Sequence, residues 1–195
     1  ITECNHMLVR ATDELSLLNE ICHIIVKTGG YRMAWVGFAE HDENRTVRPV
    51  AHAGYEADYL QTANITWADT KRGHGPTGTA IRTGKICSVT DMLADPTFTP
   101  WRAEAIKHGY ASSIAIPLIA NGRALGVLNI YAAQPQAFHD EEVKLLTQLA
   151  DDLAYGILML RTRAEHEQAE EKARELAVLQ EIDRLRRELL ANISH

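Results

Sequence analysis

Residues 112–132 read Ser112-Ser113-Ile114-Ala115-Ile116-Pro117-Leu118-Ile119-Ala120, then Asn121-Gly122, then Arg123-Ala124-Leu125-Gly126-Val127-Leu128-Asn129-Ile130-Tyr131-Ala132. Two runs of mostly aliphatic residues flank Asn-Gly. That dipeptide tolerates two successive positive φ angles and so closes a two-residue hairpin. Strands joined by so short a turn must be antiparallel. An antiparallel sheet needs something apolar on at least one face, and the rest of the chain supplies helices to cover it.

Upstream the same reading continues. Arg32 to Glu40 (RMAWVGFAE) is a predicted strand, His41 to Arg45 a turn, and Val47 to Ala53 (VRPVAHA) the returning strand. Pro49 lacks an N–H and marks that strand as an edge or a bulge. A further short strand is expected around Asn64 to Trp67, and another from Ile86 to Thr90. Gly73 to Gly84 (GHGPTGTAIRTG) reads as a glycine-rich loop opening a short helix that Gly84 ends, with Thr77 or Thr79 as N-cap. Pro100 to Lys107 (PWRAEAIK) reads as a helix with proline in its first turn. The fold class is α/β (α+β): a central antiparallel sheet covered by helices.

Helices bracket this core. From about residue 3 to 27, Leu8, Ala11, Leu15, Leu18, Ile21, Cys22 and Ile25 recur at three- and four-residue spacing, and Gly29-Gly30 stop the pattern. This helix is expected to pack on the domain or on a second copy of itself. From Asp140 onward, Val143, Leu146, Leu149, Leu153, Ile157 and Leu160 form a second apolar face. It thins to Ala164, Ala169 and Ala173 among many charges, then recovers at Leu176, Leu179, Ile182, Leu185 and Leu189. An unbroken helix of roughly 55 residues would run roughly 80 Å, further than a domain of this size is wide. Its far half is therefore expected to zip to a twin as a coiled coil, making a homodimer through the terminal helices. Asp183 and Arg186 break a strict heptad, which suggests a register change or a helix tolerant of two packings. The expected division is 1–30 (terminal helix), 31–160 (core and start of the last helix) and 161–195 (the coiled-coil helix).

Composition excludes several functions. The net charge is −6, which argues against nonspecific nucleic-acid binding and against a basic membrane-binding patch. No apolar run approaches the ~20 residues that cross a bilayer, and no direct membrane contact is expected. No signal peptide is visible, and Ile1 in place of Met suggests an internal piece of a cytoplasmic protein, whose anchor could lie elsewhere. Cys4, Cys22 and Cys87 are odd in number and lack zinc-ligand spacing, so neither a disulfide framework nor a metal site is expected. They read as small apolar residues in a reducing compartment; a redox role for Cys87 has no specific support.

No Ser/His/Asp or paired-carboxylate arrangement can be picked out, and the glycines at 73–78 lack the Lys-Ser/Thr pair of a phosphate-binding Walker loop. What remains are candidates for a pocket. His74 and Thr77 sit at the start of the short helix, where free N–H groups favour anions, although a capped turn explains them as well. Trp67 and Trp101 could line an apolar cavity, whereas Trp35 suits the core. Arg102 follows Trp101. Asp91 could hold a polar ligand group or cap its turn, and Ser113 opens a strand. The charges of residues 165–175, such as Glu167 and Glu171 near Lys172 and Arg174, read as a solvated helix face.

"GPTGTAIRTGK", "DMLADPTFTPWRAEAIKHGYASSIAIPLIANGRALGVLNIYA" and "FHDEEVKLLTQLADDLAYGI" together resemble a GAF domain over about residues 8 to 160. The resemblance implies an α/β/α sandwich with five or six antiparallel strands, terminal helices on one face, and a ligand pocket under loops on the other. It implies a sensory module rather than an enzyme. Tetrapyrrole-binding members carry a Cys-His pair ahead of the strand that opens here at Gly109-Tyr110-Ala111-Ser112-Ser113; the corresponding place holds Pro100-Trp101, with no thiol. Cyclic-nucleotide-binding members carry an Asn-Lys pair, but Asn129 is followed by Ile130. Haem would need an axial ligand, for which His74 and His108 qualify by type only. No cofactor is expected, and the resemblance leaves room for an unknown small-molecule ligand without requiring one.

The last residues, Leu189-Leu190-Ala191-Asn192-Ile193-Ser194-His195, resemble the start of the H-box of sensor histidine kinases. That resemblance implies that His195 is the phosphoacceptor of a parent two-component kinase, whose partners are its ATP-binding domain and a response regulator. Neutral imidazole is a competent nucleophile near neutral pH. The fragment itself is expected neither to bind ATP nor to phosphorylate itself. Two other readings stand beside this one: a constitutive dimerisation module without ligand, and a free-standing enzyme of the same fold such as a methionine sulfoxide reductase, which would need reactive cysteines.

Overall fold

A computed structural model describes residues 13–54, 60 and 64–193. Leu8, Ala11, Cys4 and His195, and the expected helical start before residue 13, lie outside the described residues. The first described helix, α1, spans Glu14–Gly29. Asp13 caps it by accepting from the Ser16 N–H at 2.8 Å, and Gly30 closes it in the left-handed region at φ 73°. Its inward stripe is Leu17, Leu18, Ile21, Cys22 and Ile25; Leu15 is exposed.

The strands are β1 (Met33–Ala39), β2 (Val47–Gly54), β3 (Cys87–Val89), β4 (Ser112–Ala120) and β5 (Arg123–Ala132). They form one antiparallel sheet in the order β2-β1-β5-β4-β3. The hairpin that decided the fold is present: Ala120 faces Arg123, and Asn121 and Gly122 take φ of 51° and 73°. Two positive φ values are the signature of the type I′ turn, whose twist matches that of the strands. Pro49 lies on edge strand β2, where the β1–β2 register slips by one residue, so it is both at an edge and beside a bulge.

Alternation splits the sheet into two faces. Met33, Trp35, Ala115, Val127 and Tyr131 point into a buried cluster with residues of the later loops and short helices. Ala34, Val36, Ile114, Ile116, Leu128 and Ile130 are buried on the other face. There α1 covers β1 and β2, and the Cys22 thiol meets the Val36 backbone. At Gly126 the β5 backbone runs so close to β1 that a Cβ would stand 2.2 Å from the Gly37 carbonyl oxygen.

Three details differ from the sequence reading. Residues 64–67 form an isolated bridge, Thr46 to Thr66, rather than a strand; its flanking bonds are Val47 N–H to Ile65 O and Trp67 N–H to Arg45 O. The short helix α2 spans Pro76–Thr83 and is capped by Gly75, with no side chain bonding the cap. Pro76 at the first turn fixes that start, and Thr77 and Thr79 lie inside the helix instead. Proline also explains the third: Pro96–Trp101 is a 3-10 helix containing Pro100, and α3 begins only at Arg102 and runs to His108.

The last helix, α4, is continuous from Asp140 to Ile193. The chain divides into two compact units, 1–157 and 158–195. In the first, α4 buries Leu146, Leu149, Ala150, Leu153, Ala154 and Ile157. In the second, residues 158–193 contain neither Gly nor Pro. Their large apolar side chains are exposed, for example Leu179 at 62% and Ile182 at 56%. Charged pairs one turn apart decorate this stretch: Arg163–Glu167 at 2.9 Å, Arg174–Glu170 at 3.6 Å, Arg184–Glu188 at 2.9 Å, and Arg187–Asp183. Each is solvated, so each adds little to stability. Among the described residues, no helix is long and apolar enough to cross a membrane.

Candidate functional site

The sheet face opposite α1 carries a small cavity of about 20 Å³. Its floor is strand residues Ser113, Asn129 and Tyr131; its wall is the first turn of α2; its roof is Phe98 and Trp101. The register brings the floor together, since Ser113 pairs with Tyr131 and Ala115 with Asn129 on adjacent strands.

Thr77 reaches down from α2 and donates its hydroxyl hydrogen to Asn129 Oδ1 at 2.8 Å. That bond leaves the Asn129 amide nitrogen as a donor, and Nδ2 is buried with no partner; so is Ser113 Oγ. A buried polar group left unpaired costs about 1–3 kcal/mol, so these two atoms set the cavity floor apart from the apolar packing around it. Above them the Trp101 ring lies against Gly75. A Cβ there would stand 2.5 Å from the ring's Cη2, which is why the cap is a glycine.

Arg82 holds the loop before α2. Its guanidinium donates to the carbonyls of Trp67 (3.0 Å), Ala68 (3.1 Å) and Gly73 (2.5 Å). Gly78 faces the same close backbone, 2.2 Å from the Gly73 oxygen for an added Cβ. On the outer side of the Pro96–Trp101 turn is an open cleft of about 620 Å³ edged by Lys71, Arg72, His74, Pro96, Thr99 and Pro100. Arg72 borders both cavity and cleft.

The structure thus brings Thr77, Trp101 and Ser113 together and leaves the other candidates elsewhere. His74 is on the outer cleft, its ring nitrogen 2.6 Å from Asp69, whose carboxyl is held below the usual range by that hydrogen bond and by the imidazole's charge. Trp67 is structural: its Nε1 donates to the Glu40 carbonyl at 2.8 Å, and the Arg45 guanidinium stacks 4.5 Å above the ring. Asp91 caps its turn, accepting from the Leu93 and Ala94 N–H groups at 2.9 and 3.2 Å. Arg102 donates to the Asp95 carbonyl at 2.9 Å and anchors the 3-10 turn to α3. His195 lies outside the described residues. Asn129 and Tyr131 were not singled out as ligand contacts. The available signal was a lone Asn in the apolar alternation of Val127, Asn129 and Tyr131.

The thiols are quiet. Burial pushes Cys22 up to about 12. Burial, and secondarily the Asp95 charge, raises Cys87. Among the described residues, no group of three or more His, Cys, Asp or Glu is placed to hold a metal ion.

Residues 11–157 match the family model described as GAF domain. No curated protein matches the chain. Among solved structures, the GAF domain of a phosphoenolpyruvate-protein phosphotransferase from Coxiella burnetii is similar at 18% identity, covering 84% of this chain and 94% of that one with a TM-score of 0.71. The free methionine-R-sulfoxide reductase of Neisseria meningitidis, in complex with its substrate, is similar at 20% identity, 83% and 88% coverage and a TM-score of 0.70. A domain assigned to a two-component sensor histidine kinase of Sinorhizobium meliloti is similar at 18% identity, 78% and 96% coverage and a TM-score of 0.60. At such identities the likeness is one of fold.

Proposed function

The chain belongs to the GAF domain family, and from that membership we propose that it is the sensory input of a two-component sensor histidine kinase, working as a homodimer through its terminal helices. The observation that carries this reading is the unit 158–193. It is a helix that exposes Leu176, Leu179, Ile182, Leu185, Leu189 and Ile193. An isolated helix in water gains its stability from burying such a stripe, and a second copy is the partner that offers a matching one. The phrase ending in His195 supports the output half: the same helix leads into a histidine suited to accept a phosphoryl group. The solved domain from the Sinorhizobium meliloti kinase is a likeness in the same direction.

In this reading a ligand or partner binds the two arrangements of the dimer with different affinity, and the helix pair carries the difference to His195. A ligand that bound both equally would transmit nothing. Light scattering on the 195-residue chain should give a dimer; a monomer at high micromolar concentration would overturn the proposal. In a version extended through the rest of the H-box, a kinase domain should label the chain, and His195→Gln should abolish the label.

A constitutive dimerisation module draws support from the small size of the cavity. A thiol-based enzyme draws little, because both described cysteines are shifted away from the thiolate that such chemistry uses.

A further inference from the structure

We infer that the cavity between α2 and the sheet receives the carboxylate of a small organic acid, an inference that rests on the sensory reading above. Ser113 and Asn129 are 3% and 2% exposed, and Ser113 Oγ and Asn129 Nδ2 have no partner. The Thr77 hydroxyl fixes the Asn129 amide so that two N–H donors remain unanswered. Trp35, the cross-strand neighbour of Asn129, leaves its indole N–H unpartnered on the same sheet face. The first turn of α2, Pro76 to Gly78, joins this wall, and no side chain hydrogen-bonds its cap, so the positive end of the helix borders the cavity. Among the described residues, no carboxylate lines the cavity. Asn129 Nδ2 donates only and the Ser113 hydroxyl can donate, so beside the start of α2 they are complementary to an acceptor carrying negative charge.

Size and access narrow the class. The cavity holds about one water molecule. Its roof is the inner side of the Pro96–Trp101 turn, and the outer side of that turn borders the basic cleft of Lys71, Arg72 and His74. Arg72 lines both spaces, and the proposed entry requires Trp101 to move off Gly75. An acid attracted to the basic cleft then places its carboxylate on Asn129 and Ser113 and its apolar body against Phe98 and Tyr131. A dianionic phosphate would need a full cation beside it, and Arg72 is exposed at the mouth rather than enclosed.

Isothermal titration of the intact chain tests this with acetate, butyrate and benzoate, each against its neutral amide, and with inorganic phosphate. At least one acid should bind about tenfold or more tighter than its amide, because the amide loses the negative charge and replaces an acceptor with a donor that Asn129 Nδ2 cannot accept. Asn129→Asp should weaken that acid by about tenfold or more, and Ser113→Ala by about threefold, with the fold checked by circular dichroism. Equal affinity of acid and amide, tighter binding of phosphate, or no heat from any acid at about 50 mM would overturn the inference. None of these outcomes depends on oligomeric state, so a monomer that binds acid, or a dimer that does not, would tell which of the two proposals had failed.

Discussion

At the scale of single residues, the site is defined by what glycine permits and asparagine demands. Gly75→Ala would drive a methyl group into the Trp101 ring. The expected result is a displaced indole, seen as a red-shifted tryptophan emission. Thr77→Val removes the donor to a 2%-exposed asparagine and should cost about 1–3 kcal/mol in a urea melt. Two glycines make a controlled comparison. Gly122 has positive φ but open space, so Gly122→Ala should cost about 1 kcal/mol. Gly126→Ala would strike a neighbouring backbone and should cost clearly more in the same melt. For Cys22, raised to about 12 by burial, the sign of the pH dependence is fixed. The unfolded thiol ionises first, so this contribution is complete below the ordinary thiol pKa near 9 and fades as pH rises toward 12. In a Cys4→Ser/Cys87→Ser background, Ellman's reagent should find Cys22 unreactive at pH 8 until denaturant is added. Asn129 shows why the site was only half legible. Strand periodicity predicts which residues face inward, but the bond that orients the amide comes from Thr77, 52 positions away.

Among elements, the clearest to read were those whose signals are local. The Asn121-Gly122 hairpin, the strand carrying Pro49, and the Gly84 and Gly30 helix ends follow from backbone chemistry within a few residues. The misread ones were decided by neighbours. The Thr77 side chain bonds Asn129 on the sheet instead of capping, and residues 64–67 meet the chain at Arg45 to Val47 through one isolated bridge and its two flanking bonds rather than a ladder. The far part of α4 holds two overlapping seams. Leu176, Leu179, Leu190 and Ile193 share one heptad frame with Asp183 and Arg186, while Val178, Ile182, Leu185 and Leu189 share the next. If both serve, Leu179→Lys or Leu185→Lys alone should leave a weakened dimer, and the double variant a monomer, by light scattering. Each lost leucine contact removes about 1.5–3 kcal/mol of burial per chain.

For the molecule as a whole, the division at residue 157 makes a separable expectation. The core unit has its own buried clusters on both sheet faces. A fragment ending at Ile157 should therefore melt cooperatively at a temperature independent of concentration. The full chain should show a further loss of helical signal whose midpoint rises with concentration, the mark of association. Failure of the short fragment to fold would mean that the core depends on residues past 157.

Between Leu158 and Ile193 the chain offers no glycine or proline at which to bend. A shaft without a joint keeps the angular phase of its two ends locked together. Removing one residue from its middle turns the tip by about 100° relative to the start, whereas removing seven nearly restores the original heading. If the proposed kinase role holds, deletions of graded length should therefore make its output oscillate rather than decline.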